Sequence, residues 1–172
     1  MEDVIALIDK IIEEHKTIFQ RLQNLEQIAN DAEAIKGFDK TKELFMPGKL
    51  EEKQGLEAFR KLLDTIIQGI HDHFSREEGT LVTAFEKQAD RKLASALHSL
   101  LLGHEDLKSH LKRSKQDVAK LTDGEQSRQI WEASAYDIRT HITHIRKLFE
   151  EHALMEQDLL HTLRNELTKG NS

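Results

Sequence analysis

Apolar residues recur at three- and four-residue steps along almost the whole chain, and no stretch alternates apolar with polar residues as a half-buried strand does. Val4, Leu7, Ile8, Ile11, Ile12, Ile18, Phe19, Leu22, Leu25 and Ile28 mark a first amphipathic helix of roughly seven or eight turns. Lys36 to Lys49, which holds the single Pro-Gly pair, reads as a loop. The period resumes from Leu56 through Phe59, Leu63, Ile66, Ile70, Phe74 and Leu81 to Phe85 as a second helix. Asp90 is a good N-cap for a third, running through Leu93, Leu97, Leu107 and Leu111 to Val118 and ending near Thr122-Asp-Gly124. A fourth runs from Ile130 toward Leu167. Two short connections and one longer one predict an all-α, up-down-up-down four-helix bundle, with residues 1–172 as a single domain.

Composition removes several classes of function. The chain has 172 residues and no cysteine, which excludes disulfides, thiol catalysis and thiolate metal sites. A formal net charge of -6 disfavours a phosphate backbone as partner, so no nucleic-acid binding is expected. The sequence starts without a basic region followed by an apolar core, and its apolar runs are a few residues long. No signal peptide, no membrane span and a cytoplasmic location are therefore expected. Histidine is the unusual entry, with ten in the chain, and any metal must be held by nitrogen and oxygen.

Two His-x3-Glu pairs stand out, His73 with Glu77 on the second helix and His152 with Glu156 on the fourth. At i and i+4 the imidazole and carboxylate share a helix face about 6 Å apart along the axis, so both can reach one metal centre. In an antiparallel bundle, counted from one end, His15 stands about 12 residues in, His73 about 15, His104 about 13 and His152 about 16, a common layer within roughly 6 Å. The halves repeat: a lone His on one helix precedes a His-Glu pair on the next, twice. Ile11 and Phe19, Ile70 and Leu81, Leu100 and Leu101, and Phe149 and Leu160 place apolar layers on both sides. Buried there without a ligand, four imidazoles and two carboxylates carry a heavy desolvation cost that metal ions relieve.

With these residues in order, the sequence resembles the hemerythrin-like, or HHE cation-binding, domain family over nearly its whole length. The resemblance implies a non-haem centre of two iron ions, oxo- or hydroxo-bridged, in the bundle core. It implies His15 and His73 on one iron, His104 and His152 on the other, and Glu77 and Glu156 bridging both. The donor set suits iron. The chain departs from the oxygen-carrying members in having Lys108 where they carry a second histidine four residues after the third-helix ligand. Its last motif also pairs His152 with a Glu four residues on, in place of an Asp five residues on. The missing histidine implies an additional coordination position for water, a small ligand or another side chain, with Glu105 as one candidate. Reaction with oxygen, nitric oxide or peroxide follows as the leading expectation, and an iron- or oxygen-sensing interaction domain or a metal-free scaffold as the alternatives. No catalytic residue is assigned, and a redox or signalling partner is expected but not identified.

The other histidines read differently. His71, His98, His110 and His161 read as surface residues, while His141 and His144 admit a supporting role or a separate surface metal site. Trp131 and Tyr136 read as packing residues. The second and fourth helices are expected to overhang the others beyond the site, folding back or forming a homodimer contact.

Overall fold

The computed structural model describes residues 2–39, 50–122 and 128–170. Four helical rods account for them, and no strand occurs among the described residues. The first rod is α1 (Glu2–Asp39). The second is α2 (Leu50–Arg76), a single π-helical turn (Glu77–Leu81) and α3 (Val82–Gln88). The third is α4 (Arg91–Leu101) followed by α5 (Gly103–Thr122), and the fourth is α6 (Arg128–Lys169).

Packing closes these rods into a ring, α1 against α2 and α6, and α5 against α2 and α6. Side-chain contacts give the directions. Along α1, Asp9, His15 and Glu26 meet Arg164, Glu156 and Arg146 of α6 in falling order. Along α5, His104 and Asp117 meet His152 and His141 of α6, again in falling order. The second rod meets the third in the same sense, Glu78 to His104 and Asp64 to Lys115. Each neighbouring pair is thus antiparallel, as the up-down-up-down reading requires.

The connection between the second and third rods is tight because Asp90 caps α4: its extended backbone ends one rod and its carboxylate accepts the Leu93 N–H at 2.7 Å. The third rod breaks at Leu102, ahead of Gly103, where one continuous helix is expected from the period. The loop expected over Lys36–Lys49 begins inside α1, which continues to Asp39, while residues 40–49 lie outside the described residues. α1 thus runs as far past His15 as α6 runs ahead of His152, which removes the expected overhang relative to the first rod, while α5 still ends nearer its histidine, at Thr122.

The core is divided. One apolar cluster gathers Ile18, Leu22, Leu63, Ile70, Phe74, Leu111, Ile145 and Phe149. A second gathers Ile8, Ile11, Leu81, Phe85, Leu97, Leu160 and Leu163. Between them lies the polar layer.

Candidate metal centre

The second rod positions half of the polar layer through an irregularity in its helix. His73, Glu77, Leu81 and Phe85 follow one another at four-residue steps, and all are buried. Three such steps on a regular helix drift by about 120°, which would turn Phe85 away from the core. The π turn at Glu77–Leu81 absorbs about one extra residue, some 100° of that drift, and keeps the four side chains on one face. In α6 the same problem is solved by spacing, because Leu160 is followed by a three-residue step to Leu163.

His15, His73, Glu77, His104, His152 and Glu156 are all buried, with side-chain exposures of 5% or less. They form two overlapping groups, His15, His73, Glu77 and Glu156, and Glu77, His104, His152 and Glu156, each with ligand atoms within 4.8 Å of one another. Both carboxylates belong to both groups. His104 Nε2 lies 2.8 Å from Glu77 Oε2 and 3.1 Å from His152 Nε2. His73 Nε2 meets Glu77 Oε1, and His152 Nε2 lies 2.9 Å from Glu156 Oε2.

These contacts do not amount to a satisfied hydrogen-bond network. His73 Nε2, Glu77 Oε2 and both Glu156 oxygens are buried without an aligned partner. The reason lies on the outer side of the rings. His73 Nδ1 donates to Glu14 Oε2 at 3.3 Å, and His104 Nδ1 donates to Glu78 Oε1 at 2.9 Å. An imidazole that spends its one proton outward turns a lone pair inward. Wherever such a ring carries no second proton, its lone pair faces the carboxylate oxygens, an arrangement that repels itself unless a proton or a cation stands between. Four nitrogens and two carboxylates so placed fit the binding of metal cations, and the outward carboxylates are the usual supports of metal-bound histidines.

Protonation follows the same crowding. Burial pushes the Glu77 carboxyl up, but His104, His15, His152 and His73 around it hold it well below the usual range. Burial and the adjacent Glu77 charge push Glu156 well above that range, against the opposing pull of His152. Burial favours neutral His152, yet Glu156 and Glu77 outweigh it and raise the imidazole to about 9. His15, whose burial outweighs its Glu77 contact, is lowered. Without a cation the layer thus favours an ionised Glu77 and a proton held between His152 and Glu156.

Supporting residues extend beyond those singled out in the sequence. Arg76 holds Glu14 with two short hydrogen bonds, Nε to Oε1 at 2.8 Å and Nη2 to Oε2 at 2.7 Å. Lys108 Nζ lies 3.4 Å from Glu78 Oε1, so it backs His104 through Glu78. Phe74 stacks on the His104 ring at 3.6 Å with the planes 9° apart. Glu14 and Glu78 are each next to a candidate ligand in sequence, but adjacent positions point about 100° apart on a helix, and no period separates such a Glu from a solvated one.

Other expectations are corrected. Glu105 is 82% exposed and paired with Lys108, so it does not fill the position left by the missing histidine. Tyr136 is exposed, with the Arg139 guanidinium over its ring, because its position turns outward on α6; Trp131 is buried as expected. His71, His98 and His161 are exposed, His98 beside Glu86.

The family model described as the hemerythrin HHE cation binding domain matches residues 6–164. No curated protein and no solved structure matches the chain. No helix among the described residues is long and apolar enough to cross a membrane.

Proposed function

The chain belongs to the hemerythrin HHE cation-binding domain family, and from that premise we propose that its polar layer holds two iron ions, oxo- or hydroxo-bridged, that bind or react with oxygen, nitric oxide or peroxide. The observation that carries this reading is the sharing of Glu77 and Glu156 between two four-residue groups. His15 and His73 would hold one iron, His104 and His152 the other, with the two carboxylates spanning both. When bound, such a pair supplies electrons and open coordination positions for a small ligand.

The chain's own residues set the conditions. Glu14 and Glu78 fix the His73 and His104 rings in the tautomer that faces inward. Two negative charges offset part of the repulsion between two cations, which four neutral imidazoles cannot do. Apolar clusters above and below restrict water and favour a small, weakly polar ligand. Lys108, held between Glu78 and Glu105, leaves the position of the missing histidine without a protein nitrogen.

Anaerobic reduction of the iron-loaded protein, followed by addition of oxygen, nitric oxide or hydrogen peroxide, tests the reading by absorption spectroscopy. A near-ultraviolet ligand-to-iron band that changes with at least one of these additions, and is absent in His73→Ala, is expected. An iron spectrum indifferent to all of them would contradict ligand reactivity.

One observation favours a second reading. Because the polar layer divides the core into two clusters, its loading state bears on the packing of all four rods. An iron- or oxygen-sensing domain that signals by changes in stability or association fits that arrangement, and loading would then alter partner binding without turnover.

A further inference from the structure

Farther along α5 and α6, away from the polar layer, a second group of histidines faces across the same helix pair. His110 lies about 9 Å along α5 from His104, and His144 about 12 Å along α6 from His152, so antiparallel packing brings them to one level. Their rings meet edge to face with centroids 4.7 Å apart and planes at 77°. His141, three residues before His144 on the same side of α6, has its ring 6.4 Å from that of His110.

Two of these rings are backed by carboxylates. His141 Nδ1 donates to Asp117 Oδ2 at 3.0 Å, which leaves the Nε2 lone pair free for a cation. His110 Nε2 lies 3.4 Å from Asp106 Oδ1, which leaves its Nδ1. His141 and Asp117 are largely shielded, at 17% and 16% exposure, whereas His144 is exposed. Carboxylate-backed imidazoles at the mouth of a helix pair share the pattern that supports His73 and His104 in the core.

We propose that His110, His141 and His144 form a second cation site on the outside of the bundle, taking one borderline divalent ion such as Zn2+ across α5 and α6. The three rings do not converge within one 4.8 Å shell as the core groups do. The site closes when the exposed His144 ring turns about its side-chain torsions, while Asp117 and Asp106 hold the other two rings near their present orientation. Three imidazoles and a water complete the four-coordinate set that zinc favours. Ten of the chain's donors are imidazoles and none is a thiol, so selection would rest on geometry.

Equilibrium dialysis of the full-length, iron-loaded protein against Zn2+, with zinc and iron both counted by mass spectrometry, tests the site. One saturable Zn2+ per chain is expected with the iron content unchanged. His110→Ala and His144→Ala should each weaken it at least tenfold without altering iron content, helicity or the iron spectrum, and His98→Ala should leave it unchanged. The zinc should persist in Glu77→Ala, whose core is impaired, so failure of the core reading and failure of this one are separable. No saturable zinc, zinc uptake matched by iron loss, or uptake indifferent to the His110→Ala/His144→Ala double substitution would overturn the proposal.

Discussion

Glu14 is one residue ahead of His15 in the chain, yet it supports His73 on the neighbouring helix and is itself held by Arg76. Removing its carboxylate should release the His73 tautomer while leaving all six candidate ligands in place. Glu14→Ala is therefore expected to weaken metal binding by about 10- to 100-fold with helicity retained, as measured by competition with a chelator. Protons give a second handle at this scale. A group raised to about 9, as His152 is, remains protonated at pH 7 in the metal-free protein. A ligand must lose that proton to bind, so apparent metal affinity should rise with pH up to about 9. Calorimetry in buffers of different ionisation enthalpy should show net proton release on loading at pH 7; a buffer-independent heat would count against this protonation state. The six candidate ligands were legible in the sequence because four-residue spacing and equal depth are properties of a helix. Glu14 and Glu78 were not, because their roles depend on which neighbouring rod their side chains reach.

Among the helical elements, the π turn at Glu77–Leu81 is the least regular and the one on which the site most depends. Its signature was present in the sequence as the unbroken four-residue series His73, Glu77, Leu81, Phe85, which a regular helix cannot keep on one face. Each step taken singly is an ordinary helical step, so only the accumulated drift over three steps marks the irregularity. Gly79 lies inside the turn, and a Cβ there meets nothing within 4 Å. Gly79→Ala should accordingly stabilise the fold by roughly 0.5–1 kcal/mol through the unfolded chain, with metal content unchanged. Thermal denaturation checks the first part and metal analysis the second; loss of metal would mean that the turn needs glycine for the site itself. The break at Leu102 was invisible for a different reason. Leu100, Leu101 and Leu107 satisfy either one helix or two, and a single glycine is tolerated inside a helix at modest cost. The Pro-Gly pair marks a loop but not where the preceding helix stops, so α1 reaches Asp39, inside the stretch that reads as loop.

At the scale of the whole molecule, the bundle was legible from period and connection length, and the division of its core from the depth of the histidines. What the division costs was not. Burying six polar side chains between apolar clusters opposes folding unless something satisfies them. A ligand that binds the folded chain alone stabilises it by about 4 kcal/mol at a free concentration a thousandfold above its Kd, which for a domain of this size is roughly 10 °C in melting temperature. Chelation should lower the melting temperature by an amount of that order, and re-addition of iron should restore it; a melting curve indifferent to chelator would mean the layer is satisfied without metal. The most direct measurement is the number of irons per chain in the full-length protein loaded anaerobically with Fe2+ and freed of excess, beside the same count for Glu77→Ala. Two irons per chain, falling to one or none when the shared carboxylate is removed, is the predicted result. No stoichiometric iron, or a count unaffected by Glu77→Ala, would contradict a two-cation centre built on Glu77 and Glu156.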